Sequence, residues 1–102
     1  MNIIGLILAV TIWMVADVGA QAPELLQQYK CYYCHADKED KAGPAFADVA
    51  ARYRGNSQAV GKLIAVVRKG RHGKGPWNMP PHPEVSEAEA KEMVRYILSL
   101  QP

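Results

Sequence analysis

The run Cys31-Tyr32-Tyr33-Cys34-His35 sets two thiols three positions apart, with an imidazole directly after the second. Thiols at that spacing can each add across a haem vinyl group. The imidazole can then offer a nitrogen to the iron from the same side. C-x-x-C-H is the attachment signature of c-type haem, and a proximal His is a standard iron ligand. A bare C-x-x-C has other readings: a redox disulfide of the thioredoxin kind, half of a zinc site, or a local cross-link. The thioredoxin reading wants a βαβ context, and no convincing strand alternation occurs. The zinc reading wants a second ligand pair, yet Cys31 and Cys34 are the only cysteines. His72 and His82 also fall outside the usual H-x₃₋₅-H spacing. A local disulfide with an incidental His stays as the main rival to haem.

A second cluster could complete the iron's coordination. From Arg71 to Pro83 there is no hydrophobic period, and Gly73, Gly75, Pro76, Pro80, Pro81 and Pro83 forbid a regular helix. A long irregular loop in a small domain is usually functional. This one carries Trp77-Asn78-Met79-Pro80-Pro81. The thioether of Met79 is a soft, neutral donor, and Met/His ligation raises the haem potential. The two prolines after it stiffen the backbone that holds the sulfur. A methionine more commonly fills a core gap, but Met79 sits in a Pro-rich loop, whereas Met93 sits on an apolar helical face and reads as core. His72 and His82 are the alternative sixth ligands, which would give a bis-His haem; loop histidines are more often solvated.

The elements that must position these groups are helical. Ala22-Pro23-Glu24 has the form of a helix start, with Pro at the first helical position and Glu at the positive end of the dipole. Leu25, Leu26 and Tyr29 would be its buried side, leading into the cysteine motif. Asp37 to Lys41 reads as a polar loop, and Gly43-Pro44 breaks the chain. Phe46, Val49, Ala50 and Tyr53 recur as one helical face, closed by Gly55. Val60, Leu63, Ile64 and Val67 repeat the pattern before Lys69 and Gly70. Ser86-Glu87-Ala88-Glu89 is a capping box opening a helix with the stripe Ala90, Met93, Val94, Ile97 and Leu100. Four helices and one stiff loop are expected, and no strands.

The chain has 102 residues and a formal net charge of +2. Residues 1–20 read as an export signal: Ile3 to Ala16 is mostly apolar but short for a bilayer span. Val18-Gly19-Ala20 supplies the small residues of a cleavage site. No Lys or Arg precedes the apolar run, and Asp17 follows it, so a retained N-terminal anchor is the alternative. Residues 21–102 then form one domain, near the size at which side chains alone give a core of only a few kcal/mol. A large apolar cofactor at the centre would supply what the side chains lack. Between Asp48 and Glu84 there is no acid, while Arg52, Arg54, Lys62, Arg68, Lys69, Arg71 and Lys74 all fall there. Such runs are usually a solvated face, and an exported haem domain is not expected to bind nucleic acid.

With C-x-x-C-H, Gly43-Pro44-Ala45-Phe46 and Met79-Pro80-Pro81 in family order, the chain resembles the class I cytochromes c. It is most similar to the small bacterial monohaem proteins of the periplasm, from Leu25 to Leu100. The resemblance implies an all-α class I cytochrome c fold, about four helices around one haem c and its iron. It implies thioether bonds from Cys31 and Cys34, axial ligation by His35 and Met79, and a hydrogen bond from the His35 ring to the Pro44 carbonyl, which fixes the tautomer. The first and last helices should cross, with Tyr96 or Ile97 near Leu25 or Tyr29. Asn78 stands where relatives often carry Pro and would reach the Met sulfur or a propionate. Lys74 stands where many relatives place an aromatic partner for a propionate. Trp77 either takes over that role or packs in the core.

These readings make no residue a bond-breaking catalyst. They lead first to a periplasmic electron carrier of a respiratory chain, between a dehydrogenase or bc-type complex and a terminal oxidase or reductase. A dedicated cytochrome subunit bound to one oxidoreductase is the second reading. A haem-based enzyme or gas sensor with a weak sixth bond is the third. Membrane contact is expected only if the N-terminal segment is retained.

Overall fold

The computed structural model describes residues 5, 7–12, 18–73 and 78–102. Lys74 and Trp77 lie outside the described residues, as does half of the apolar run from Ile3 to Ala16. Four α-helices follow in order: α1 (Val18–Gln28), α2 (Phe46–Arg52), α3 (Ala59–Lys69) and α4 (Glu87–Ser99). A single 3₁₀ turn, Cys31–Tyr33, stands between α1 and α2. Helix α4 is the hub against which α1, α2 and α3 all pack.

Helix α4 is set by a recognisable local cause. Ser86 caps α4: its Oγ accepts from the Glu89 amide at 3.1 Å, and Glu89 Oε1 accepts from the Ser86 amide at 3.4 Å. This reciprocal pair satisfies two otherwise unpaired donors. The stripe of α4 is buried as its period requires, with Ala90, Met93 and Val94 at 1% exposure or less and Ile97 close behind. Ala90, Met93 and Ile97 meet Leu26 of α1, Phe46 of α2 and Val85 in one core cluster, with Leu25, Tyr29, Ile64, Val67 and Tyr96 packed around it. Burying a side chain of this size contributes roughly 1.5–3 kcal/mol.

Three expectations need correction. Helix α1 begins at Val18, upstream of Ala22, and Pro23 lies inside it. Nothing in Val18-Gly19-Ala20-Gln21-Ala22 stops a helix, and Ala favours one. Pro23 therefore forfeits one hydrogen bond within α1. Helix α2 ends at Arg52, with Tyr53 as its cap, so Gly55 (φ +79°) serves the following turn and not the cap itself. Finally, the loop after α3 is not strandless. Strands β1 (Arg71–His72) and β2 (Asn78–Met79) form a two-residue antiparallel ladder, Arg71 opposite Met79 and His72 opposite Asn78. A ladder this short leaves no period to read.

Candidate functional site

The cysteine motif leaves α1 through Lys30, which takes the left-handed conformation at φ +61°. That reversal aims the 3₁₀ turn back toward the helices. Two amides then converge on the Cys31 carbonyl, Cys34 N at 3.2 Å and His35 N at 3.0 Å. The Cys34 carbonyl in turn accepts from Gly43 N at 2.7 Å, which joins the motif to the Gly-Pro turn. Cys31 is half-buried, and Cys34 and Tyr33 are exposed. Burial pushes the Cys31 thiol above its ordinary range. It is thus not a poised thiolate, which weighs against a thioredoxin-like nucleophile.

His35 is held on three sides. Its Nδ1 lies 2.8 Å from the Pro44 carbonyl oxygen. A carbonyl only accepts, so Nδ1 carries the proton and the Nε2 lone pair is left for a metal. The ring stacks on Phe46, centroids 4.8 Å apart at 18°. Along the ring edge lies Gly43, where an added Cβ would stand 2.7 Å from Nδ1 and 2.8 Å from Nε2. No L-residue but glycine fits there without moving the imidazole. This requirement is spatial, and the only sequence signal for it is the Gly beside Pro44.

Among the described residues, one apolar cleft is lined by Leu26, Cys31, His35, Phe46, Val67, Met79, Met93 and Ile97. Cys31, His35 and Met79 are thereby brought together although 48 positions separate the first from the last. Met79 also borders a second, more open depression with Lys69, Gly70, Arg71, His72, Asn78, Pro80 and Pro81. The rival ligands stand apart from the cleft. His72 is exposed on β1, and the His82 ring engages Glu84 Oε1 at 2.9 Å. Asn78 is exposed, and its Oδ1 accepts from the Gly73 amide at 3.3 Å. That oxygen is engaged within the loop.

Asp37 was legible only as part of a polar loop, yet it ties the motif to α4. Its Oδ1 accepts from Tyr32 at 3.0 Å and its Oδ2 from Tyr96 at 2.7 Å. Burial, then this bond, pushes the Tyr32 hydroxyl well above its ordinary value; for Tyr96 the Asp37 bond is the larger cause. A second tie runs from Tyr29 to Glu89 Oε1 at 2.9 Å, joining α1 to the α4 capping box. The sequence signal available for both ties is Tyr29, Tyr32 and Tyr96 themselves, since a buried Tyr hydroxyl usually finds a partner.

The residue set fits a covalently held haem. The walls are apolar, one thiol lines the cleft and the other, three residues on, is exposed. The His tautomer frees one nitrogen, and a thioether faces the same space. Among the described residues no buried side-chain N or O lacks a partner, so the cleft presents no polar group that a haem would strand.

Comparison with known proteins agrees. Residues 20–101 match the cytochrome c family. The chain is 38% identical over 96 residues to cytochrome c-552 of Hydrogenobacter thermophilus, covering 92% of this chain and 96% of that protein. It is 37% identical over 95 residues to cytochrome c-551 of Pseudomonas aeruginosa, covering 91% and 90%. The fold superposes on the crystal structure of Nitrosomonas europaea cytochrome c552 with a TM-score of 0.73 at 34% identity, covering 78% of this chain and 99% of that one. With motif, fold and relatives in agreement, the chain belongs to the cytochrome c family: a small class I cytochrome similar to the bacterial cytochromes c-551 and c-552, an electron carrier rather than an enzyme, bearing one covalently bound haem c and its iron.

Proposed function

We propose that the chain is a periplasmic one-electron carrier whose iron is held between His35 Nε2 and Met79 Sδ, with the haem fixed by Cys31 and Cys34. The observation that carries this reading is the single apolar cleft shared by Cys31, His35 and Met79. When bound, the haem supplies one-electron chemistry between ferric and ferrous iron. The chain's own residues keep that chemistry simple. Pro44 locks the His35 ring through Nδ1, which holds its orientation and makes it a better donor. Leu26, Phe46, Val67, Met93 and Ile97 exclude water. Two strong-field, neutral donors suit both oxidation states, so little must reorganise on electron transfer.

The exposed side is the electron port. Tyr33 is 73% exposed beside the exposed Cys34, and the Lys30 ammonium stands 5.8 Å from the Tyr33 ring centroid. An apolar contact with cations outside it suits brief docking to redox proteins. Such encounters are small and weak, with charge acting mainly on the association rate. The donor would be a dehydrogenase or bc-type complex, and the acceptor a terminal oxidase or reductase. Residues 1–20 would be removed on export. Pro23 would then fall in the first helical turn, where its missing N–H costs nothing.

The test is carbon monoxide added to the reduced holoprotein at neutral pH, together with a potentiometric titration. A carrier gives a reversible one-electron wave and no carbonyl spectrum. Ready formation of the carbonyl adduct would transfer the protein to the sensor or enzyme class.

A further inference from the structure

Gly70 ends α3 at φ +76° and ψ 178°, a region that is essentially closed to residues with a Cβ. Its amide donates to the Val66 carbonyl at 2.8 Å. The space beside its Cα is filled by main chain. A Cβ there would stand 2.6 Å from the Met79 carbonyl oxygen, 2.9 Å from the Pro81 nitrogen and 3.1 Å from the Pro80 carbonyl carbon. These atoms belong to the residue that carries the sulfur and to two rigid prolines, so none can rotate aside. The same segment is fastened on both flanks. Met79 pairs with Arg71 in the ladder, and the His82 amide donates to the Val67 carbonyl at 3.0 Å. Gly55 makes the contrast: it shares the positive φ, at +79°, but an added Cβ would meet nothing within 4 Å.

We infer that Gly70 is a positioning residue for the Met79 sulfur. Its bare Cα lets the main chain of residues 79–81 seat against the end of α3, and a Cβ there displaces the sulfur from the cleft. This rests on the Met79 ligation proposed above.

The test is titration of the ferric holoprotein with imidazole, which competes for the sixth position. Its apparent affinity scales with the fraction of molecules whose methionine is displaced. In Gly70→Ala the apparent affinity should rise about tenfold, equivalent to about 1.4 kcal/mol, and the far-red sulfur-to-iron band should weaken. Gly55→Ala meets the same positive φ in open space. It should lose stability while its imidazole affinity and band stay those of the wild type. An unchanged affinity in Gly70→Ala, with the band present in the wild type, overturns the inference and leaves Met79 ligation standing. A wild type without the band overturns the ligation itself, and the inference with it. If Gly70→Ala does not accumulate as holoprotein, it is remade in Gly61→Ala, where replacing a glycine of the first turn, with open space beside it, strengthens α3. Failure there too, with Gly55→Ala forming normally, would assign Gly70 to folding in general and overturn the inference.

Discussion

At the scale of single residues, His35 is the position whose surroundings leave least freedom. Pro44 fixes its tautomer, Phe46 its plane and Gly43 its edge. Gly43→Ala must therefore displace either the imidazole or the turn. Overpacking of this kind costs about 1–3 kcal/mol. The expected outcome is an unfolding free energy of the holoprotein lower by that amount, read from chemical denaturation, together with a changed reduction potential. A Gly43→Ala protein that matched the wild type in both would show that the turn gives way freely. The cysteines, His35 and Met79 could be singled out as candidates because residue type and spacing carry their chemistry, and Cys31, His35 and Met79 do line one cleft. Gly43 and Gly70 were not, because what they supply is an absence of atoms where distant segments meet.

At the scale of elements, period and capping did most of the specification. The stripe of α4 and its Ser86–Glu89 box read directly from the chain, and the structure keeps both. What local pattern could not carry was the joinery. The β1–β2 ladder pairs residues across a loop without any period, and the Asp37 and Glu89 ties link residues about 60 positions apart. The Asp37 tie makes a clear prediction. Asp37→Ala leaves two half-buried tyrosine hydroxyls without an acceptor. Loss of such partners costs about 1–3 kcal/mol, to be read from chemical denaturation of the holoprotein. Tyr96→Phe, which removes only one bond and leaves the carboxylate with Tyr32, should cost less. Equal losses in the two variants would mean that Asp37 does not act as the shared acceptor.

At the scale of the whole molecule, the ties should set the limits of the stability plateau against pH. Glu89 titrates below its ordinary value of 4.5, because the Tyr29 hydroxyl and the Ser86 amide favour its charged form. That contribution is present above pH 4.5 and lost as pH falls through the lowered folded value. Tyr32 and Tyr96 titrate above their ordinary value of 10.0. Their contribution is present below pH 10.0 and lost as pH rises through the raised folded values. Thermal midpoints should therefore be flat between these limits and fall outside both. Tyr29→Phe should make the acid arm shallower, and Tyr96→Phe the alkaline arm. An acid arm that Tyr29→Phe leaves unchanged would assign acid loss to other carboxylates. The all-α architecture was legible at this scale because helical periods recur along the chain and its motifs stand in the order of the class I cytochromes c. The reach of α1 back to Val18 was not, since Pro23 suits a first helical position but does not prevent a helix from starting upstream of it.

Held between His35 and Met79, as proposed above, the iron would be six-coordinate and closed to exogenous ligands. The most direct measurement is the optical spectrum of the ferric holoprotein, through the weak far-red band of sulfur-to-iron charge transfer, in the wild type and in Met79→Ala. The band should be present in the wild type and absent in the variant, with the proximal His35 spectrum retained. A six-coordinate wild-type spectrum without the band, or a band that survives in Met79→Ala, would contradict the account and move the sixth ligand away from Met79.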